Sequence, residues 1–194
     1  MAEQIIDGKG TGYRVAVCDK NRLQTFTVSE DLSIDAAKSG ENYNINTGSI
    51  TLTSSTESAV LYIKNNEDKN FIIEDVIVIL GASTGGTGDL SIELVRNPKL
   101  GTIVSGATNV DVVGNRNFGS SRELVADVYK GAEGNTITDG TSFADTTRSS
   151  AGTVVHFDGD VMVLPKGTSL GVNITPQTSN TSMNVKVAII GYLF

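Results

Sequence analysis

A glycine-rich stretch, Gly81 to Gly88 in "VIVILGASTGGTGDLSIELVRNP", is the first candidate for chemistry, because such a loop after a buried strand can hold a phosphate. A P-loop ends in Lys followed by Ser or Thr and opens a helix whose amides face the anion. Here the stretch ends in Gly88 followed by Asp89, and the next residues alternate with a period of two, which predicts a strand. We therefore predict a hairpin loop with no phosphate, no dinucleotide and no other cofactor bound.

His156 is the only histidine of the chain, so it is the only candidate for an imidazole acid or base. In "VVHFDGD" it alternates with Val155 and Phe157, which places it on the polar face of a strand. A catalytic histidine needs an orienting partner and a nucleophile, and the sequence locates neither. A surface histidine is the prediction.

Acidic residues could bind a hard cation at Asp158-Gly159-Asp160, since calcium is held by several oxygen ligands. The segment lacks the spaced acidic ladder and the closing Glu of an EF-hand loop. An Asp-Gly pair between two apolar runs indicates a tight turn, and the same holds for Asp139-Gly140. The sequence therefore predicts turns at both places and no metal site.

The remaining reactive side chains do not form a catalytic set. Cys18 is the only cysteine, so no intrachain disulfide is possible, and the adjacent Asp19 disfavours a reactive thiolate. The neighbouring acids Glu74 and Asp75 should point to opposite faces of one strand, where they cannot share a proton. We expect a protein that is not an enzyme and has no catalytic residues.

Composition indicates one β-domain with many turns, because the 194 residues include 21 Gly, three Pro and no Trp. The 15 basic and 22 acidic side chains give a net charge of -7, which disfavours nucleic acid and anionic membranes as partners. No stretch has the length of a signal peptide core or of a membrane span. We expect synthesis in a cytoplasm and no membrane partner.

The elements are predicted to be short strands. Residues 1–12 form an extended N-terminal arm with only Ile5 and Ile6 to bury, and residues 13–194 form a single β-sandwich domain with long loops around 106–152. Leu32 and Ile34 continue an extended path. Eight to ten strands without a sustained helical stripe predict an all-β, antiparallel sandwich that is jelly-roll-like. The strand candidates are Ser49–Thr53, Ser58–Lys64, Phe71–Leu80, Asp89–Asn97, Gly101–Ser105, Glu123–Tyr129 and three C-terminal segments beginning near Thr153, Thr168 and Ser182.

Several segments together resemble small structural proteins of tailed bacteriophage virions, most like the capsid decoration, or cement, proteins. The segments are "DGKGTGYRVAVCDKNRLQTFTVSE", "NYNINTGSITLTSSTESAVLYIKNNED", "STGGTGD", "VRNP" and "NRNFGSS". The resemblance implies a trimer on the exterior of a capsid, made in the host bacterial cytoplasm, that bridges major capsid proteins. Alternatives are a tail, collar or fibre-anchoring protein of the virion and, in another class, a carbohydrate-binding sandwich.

A partner interface is predicted at two places in the chain. In the arm, Ile5 and Ile6 would enter an apolar groove of a partner, with Tyr13 and Arg14 at the junction to the domain. The irregular "GNRNFGSS" loop, with Arg116 and Phe118, is the second candidate.

Overall fold

The computed structural model of the chain describes residues 31–53, 55–84, 89–104, 108–109, 112–149, 152–157, 162–177 and 182–194. The chain divides into two compact units, Met1–Asp31 and Leu32–Phe194. The described part of the second unit is all-β apart from one short helix, α1 (Leu32–Ser39), and one 3-10 turn (Thr102–Val104). No helix among the described residues is long and apolar enough to cross a membrane.

Two antiparallel sheets and a small ribbon contain all the described strands. The strands of sheet I are β1 (Asn42–Asn46), β2 (Ile50–Leu52), β4 (Phe71–Thr84), β8 (Val112–Asn115), β12 (Val154–Phe157), β13 (Met162–Leu164) and β15 (Ser182–Leu193). Their order across the sheet is β12-β4-β15-β1-β8, with β13 also paired to β4 and β2 to β15.

The strands of sheet II are β3 (Ser58–Asn65), β5 (Asp89–Arg96), β7 (Thr108–Asn109), β9 (Ala126–Lys130), β11 (Thr141–Ser149) and β14 (Ser169–Pro176). Their order across the sheet is β11-β5-β14-β3-β9-β7. A separate two-stranded ribbon consists of β6 (Lys99–Leu100) paired with β10 (Ile137–Thr138).

The pairing of the eight main strands is nested along the chain. β1 pairs with β15, β3 with β14, β4 with β12, and β5 with β11, so the outermost strands of the chain pair with each other and the innermost do the same. Successive pairs alternate between sheet I and sheet II. This nesting over two sheets is the jelly-roll arrangement, and it confirms the predicted fold class.

The core lies between the two sheets and follows the alternation of each strand. In β15 every second side chain is buried, from Met183 through Val185 and Val187 to Ile189. Leu90, Ile92 and Leu94 of β5 belong to the same buried cluster. Removing side chains of this size from water is worth about 1.5–3 kcal/mol each, so the interior of the sandwich is the main source of stability.

The outer face of sheet II is also covered, which explains why β3 and β14 are buried almost along their whole length. Ala59 and Tyr62 of β3 form a second buried cluster with Ile103 of the 3-10 turn, against which Ile137 of the ribbon packs. Gly171 of β14 lies under the ribbon, since a Cβ there would come within 2.4 Å of the Ile137 side chain.

The glycine-rich stretch connects the two sheets, and the predicted hairpin is wrong. β4 runs past Gly81 to Thr84, residues 85–88 lie outside the described residues, and β5 begins at Asp89. The pairs of β4 are all in sheet I and those of β5 in sheet II, so the two strands do not pair with each other. The predicted strand after the stretch is confirmed, and no helix begins at Asp89 as a P-loop would require.

The extended path predicted for Leu32 and Ile34 is wrong, because both residues lie in α1. The segment carries the signals of a short helix: Asp35 in the first turn, Lys38 in the last turn and Gly40 just after the end. The strand predicted at Gly101–Ser105 is also wrong, since a 3-10 turn occupies Thr102–Val104.

β1 and β11 were not predicted from the sequence. The region 106–152, predicted to consist mainly of loops, contains the nine-residue β11 as well as β8, β9 and β10. Asp139 and Gly140 have the positive φ values of a tight turn, 54° and 84°. The strands that they connect, β10 and β11, pair with β6 and β5 rather than with each other.

Candidate functional site

The candidate site is a groove between α1 and the loop that follows β8, residues 115–120. The groove has a volume of about 480 Å³, within the range of ligand-binding clefts. Its lining residues come from both elements and from the start of β1: Ser33, Ile34, Ala37, Lys38, Asn42, Arg116, Asn117 and Phe118.

Gly40 sets the distance between α1 and the loop. It ends the helix with a φ of +75°, and the Glu41 N–H donates to the Ala36 carbonyl at 2.7 Å, which is the closure of a Schellman cap. A Cβ on Gly40 would lie 2.3 Å from the Ser120 Oγ and 2.8 Å from the Ser120 Cβ. The residue therefore has to be glycine both for its φ and for the close approach of the loop.

The 115–120 loop is held by side-chain hydrogen bonds of its two asparagines. Asn115 Oδ1 accepts from the Asn117 N–H at 2.8 Å, and Asn117 Oδ1 accepts from the Gly119 N–H at 3.0 Å, so two Asx turns follow each other. The Nδ2 groups donate to α1 and its cap, from Asn115 to the Gly40 carbonyl at 2.7 Å and from Asn117 to the Lys38 carbonyl at 2.9 Å. The loop is thus fixed to the helix by bonds that do not involve Phe118.

Phe118 projects from this loop and is fully exposed. Leu32 and Ile34 of α1 are each 50% exposed, although α1 is only eight residues long. Scattered exposed apolar residues are ordinary, but here Ile34 and Phe118 line the same groove. The groove therefore offers apolar contact area that the described part of the chain does not cover.

Asn42 belongs to the wall of the groove and is only 1% exposed. Its Nδ2 donates to the Ser33 carbonyl at 3.1 Å, whereas its Oδ1 is buried and has no hydrogen-bond partner among the described residues. Buried acceptors are nearly always paired in native proteins, so this oxygen is an exception in the wall of the groove.

An ionic cluster fixes the chain on the C-terminal side of the loop. Glu41 accepts from Lys69 Nζ at 2.6 and 2.7 Å and also bonds to Arg122, which lies 3.7 Å from Glu67. Burial alone would raise the pKa of Glu41, but the hydrogen bond from Lys69 and the charges of Arg122 and Lys69 outweigh burial and lower the pKa. Glu41 therefore stays ionised and holds Arg122 next to the cap of α1.

The predicted interface residues divide between the two units of the chain. The structure brings Arg116 and Phe118 together at the groove. Ile5, Ile6, Tyr13 and Arg14 lie outside the described residues, as do Cys18 and Asp158-Gly159-Asp160. Ile34 and Asn42 were not predicted from the sequence. The one sequence signal for this wall of the groove was the helix-stop pattern ending at Gly40.

His156 has an orienting partner that the sequence did not locate. Its Nδ1 lies 2.8 Å from Oδ2 of Asp75, the one side-chain hydrogen bond of His156 among the described residues. The regular alternation predicted for Glu74 and Asp75 is interrupted in β4. The pairing of β4 with β15 shifts register here and leaves Glu74 as an extra residue between Ile73 and Asp75. No described nucleophile bonds to His156, and the described residues contain no group of three potential metal ligands.

A second cleft, of about 360 Å³, lies at the edge of the sandwich where β11 and β13 approach each other. It is lined mainly by apolar side chains, including those of Phe143, Val163 and Leu170. None of the buried unpartnered polar atoms of the described chain belongs to a residue that lines this cleft. The groove at α1 is therefore the better candidate for a specific site.

Comparison with known proteins identifies no family for this chain. No protein-family model matches the chain, and no curated protein matches it. Among solved structures, the crystal structure of the infectious bursal disease virus VP2 subviral particle aligns with 10% sequence identity and a TM-score of 0.17. The alignment covers 79% of this chain and 41% of the VP2 chain, so this chain spans about two fifths of the VP2 length. At that TM-score the similarity supports no argument about fold or function.

Proposed function

We propose that this chain is a non-enzymatic structural protein of a tailed bacteriophage virion that decorates the exterior of the capsid and bridges major capsid proteins. Its partners in this proposal are the major capsid protein and further copies of itself. Nucleic acid, membrane, metal and cofactor have no part in it. A fold alone does not define a function, so the proposal depends on the site and on the sequence resemblance.

The observation that carries the proposal is the exposure of Phe118 at the end of a rigid loop. Burying such a side chain against a partner would contribute about 1.5–3 kcal/mol. The loop is already ordered by the Asn115 and Asn117 hydrogen bonds, so little conformational entropy would be lost on docking. A preorganised aromatic anchor of this kind is typical of protein–protein interfaces.

The resemblance to capsid decoration proteins supplies the location of the partner. The resembling segment "NRNFGSS" contains Arg116 and Phe118, the two predicted residues that line the groove. The Asp75–His156 pair, by contrast, has no described nucleophile with which to perform acyl transfer. A docking role therefore accounts for more of the described features than a catalytic role does.

Immunogold labelling of virions tests the location. Antibodies raised against the purified chain should label the capsid surface of intact particles from the phage that encodes it. Label confined to tails or collars would contradict the capsid proposal and support the rival virion role. Absence of the chain from purified particles would contradict both.

A further inference from the structure

We infer that the groove between α1 and the 115–120 loop binds an acidic, extended segment of the capsid protein. A carboxylate of the segment faces Arg116, and an apolar side chain packs against Ile34 and Phe118. This inference rests on the proposed function and specifies the chemistry of its partner.

The charge of the groove differs from that of the chain as a whole. The chain has a net charge of -7, yet the two charged residues that line the groove are both basic, Lys38 and Arg116. Arg116 is exposed, and its guanidinium forms no ion pair with any described residue. A carboxylate brought against Arg116 by a docking segment would be partly shielded from water, where a charged pair is stronger than on an open surface.

The edge of β8 indicates the shape of the segment. β8 pairs with β1, and no other described strand pairs with its second edge. Arg116 follows β8 directly and lines the groove. An extended segment can therefore add to the edge of β8 and continue into the groove, which is the geometry of strand addition.

Charge reversal at Arg116 tests the inference, with Arg148 of β11 as a matched control because it is also an exposed arginine without an ion pair among the described residues. The measurement is the affinity of the full chain for capsids that lack it, determined by co-sedimentation at several salt concentrations. We expect Arg116→Glu to weaken binding by at least about tenfold and Arg148→Glu to change it by less than about twofold. Raising salt from about 0.05 to about 0.5 M should weaken the wild type more than Arg116→Gln.

The outcomes separate this inference from the proposed function. If the wild-type chain does not bind capsids, the proposed function is contradicted. If the wild type binds and Arg116→Glu, with an unchanged melting temperature, binds equally well, the acidic partner is contradicted while the capsid role stands. Equal losses for Arg116→Glu and Arg148→Glu would likewise contradict a specific carboxylate at the groove.

Discussion

At the scale of single residues, Gly40 has the greatest influence on the geometry of the groove. It combines a φ of +75° with the close approach of Ser120. Gly134 has the same φ of +75°, but a Cβ there would meet nothing within 4 Å. Comparing alanine variants at the two glycines therefore separates the free-energy cost of the positive φ from the free-energy cost of the contact with Ser120.

We predict that Gly134→Ala lowers the free energy of unfolding by about 1 kcal/mol, the cost of a left-handed conformation for a residue with a Cβ. Gly40→Ala should cost more, because Ser120 must move as well. Urea denaturation of both variants measures the difference, and capsid binding should fall only for Gly40→Ala. Equal destabilisation of the two variants, with equal binding, would show that the loop does not depend on this contact.

Glu41 gives a prediction of pH dependence. Because its pKa is lowered in the folded protein from an ordinary value of 4.5, the carboxylate contributes stability above that value and loses it as pH falls through the folded pKa. Glu41→Gln should therefore cost about 1 kcal/mol at pH 7, and the difference from wild type should shrink below pH 4.5.

The measurement for Glu41 is urea denaturation at several pH values, with Asp68→Asn as the control. Asp68 pairs with Lys166 at 2.5 Å, but its side chain is exposed, so loss of this pair should leave stability unchanged. A Glu41→Gln effect that stays constant from pH 7 to pH 3 would contradict the assigned charge interaction.

The sequence located some residues of the site and could not locate others. Arg116 and Phe118 were predicted because they lie in the irregular "GNRNFGSS" loop, which is part of the resembling segments. The roles of Gly40 and Asn42 depend on contacts with Ser120 and Ser33 that form only after folding. No local pattern contains that information.

At the scale of elements, apolar alternation predicted the strands that face the core and failed for those at the edges. β4, β5, β14 and β15 were predicted because alternate side chains are apolar and buried. β11 has polar or small residues except for Phe143, because it is the edge strand of sheet II and most of its side chains are exposed. β1 was missed because only Tyr43 and Ile45 are apolar in a five-residue strand.

The strand order predicts a gradient of local stability. β15 and β14 are central in their sheets, whereas β8 and β11 are at edges. We predict slow amide hydrogen exchange in the central strands and faster exchange in the edge strands, since edge hydrogen bonds open without disrupting the core. Native-state exchange measured by mass spectrometry tests this order. Protection of β11 equal to that of β14 in the free protein would indicate that a partner or another copy covers that edge.

At the scale of the whole molecule, the jelly roll of the second unit places the groove beside the start of β1 and the end of β8. The number of strands and turns in the sequence predicts a jelly-roll-like sandwich. The strand order cannot be predicted in this way, because it depends on long-range pairs such as β1 with β15. The resemblance to decoration proteins adds the expectation of a trimer. Closed symmetric assemblies are the usual state of soluble homo-oligomers.

We predict that the purified chain has three times the mass of a single chain in light scattering. The mass should not increase further as the concentration rises through the micromolar range, because a closed assembly has no free interface for further addition. A monomer at every concentration would contradict a preformed trimer, and continuous growth with concentration would indicate an open assembly.

The central claim is that this protein is a structural module that docks on a capsid through Phe118 and the groove beside it. The most direct test is quantitative co-sedimentation with capsids lacking the protein, comparing wild type, Phe118→Ser and Phe143→Ser. Phe143 is a matched control because it is an exposed phenylalanine in β11, at the edge of sheet II. We predict that Phe118→Ser weakens binding by at least tenfold, about 1.4 kcal/mol, and leaves the melting temperature close to that of wild type. The binding of Phe143→Ser should stay close to that of wild type. Full binding by Phe118→Ser, or a loss confined to Phe143→Ser, would contradict the claim.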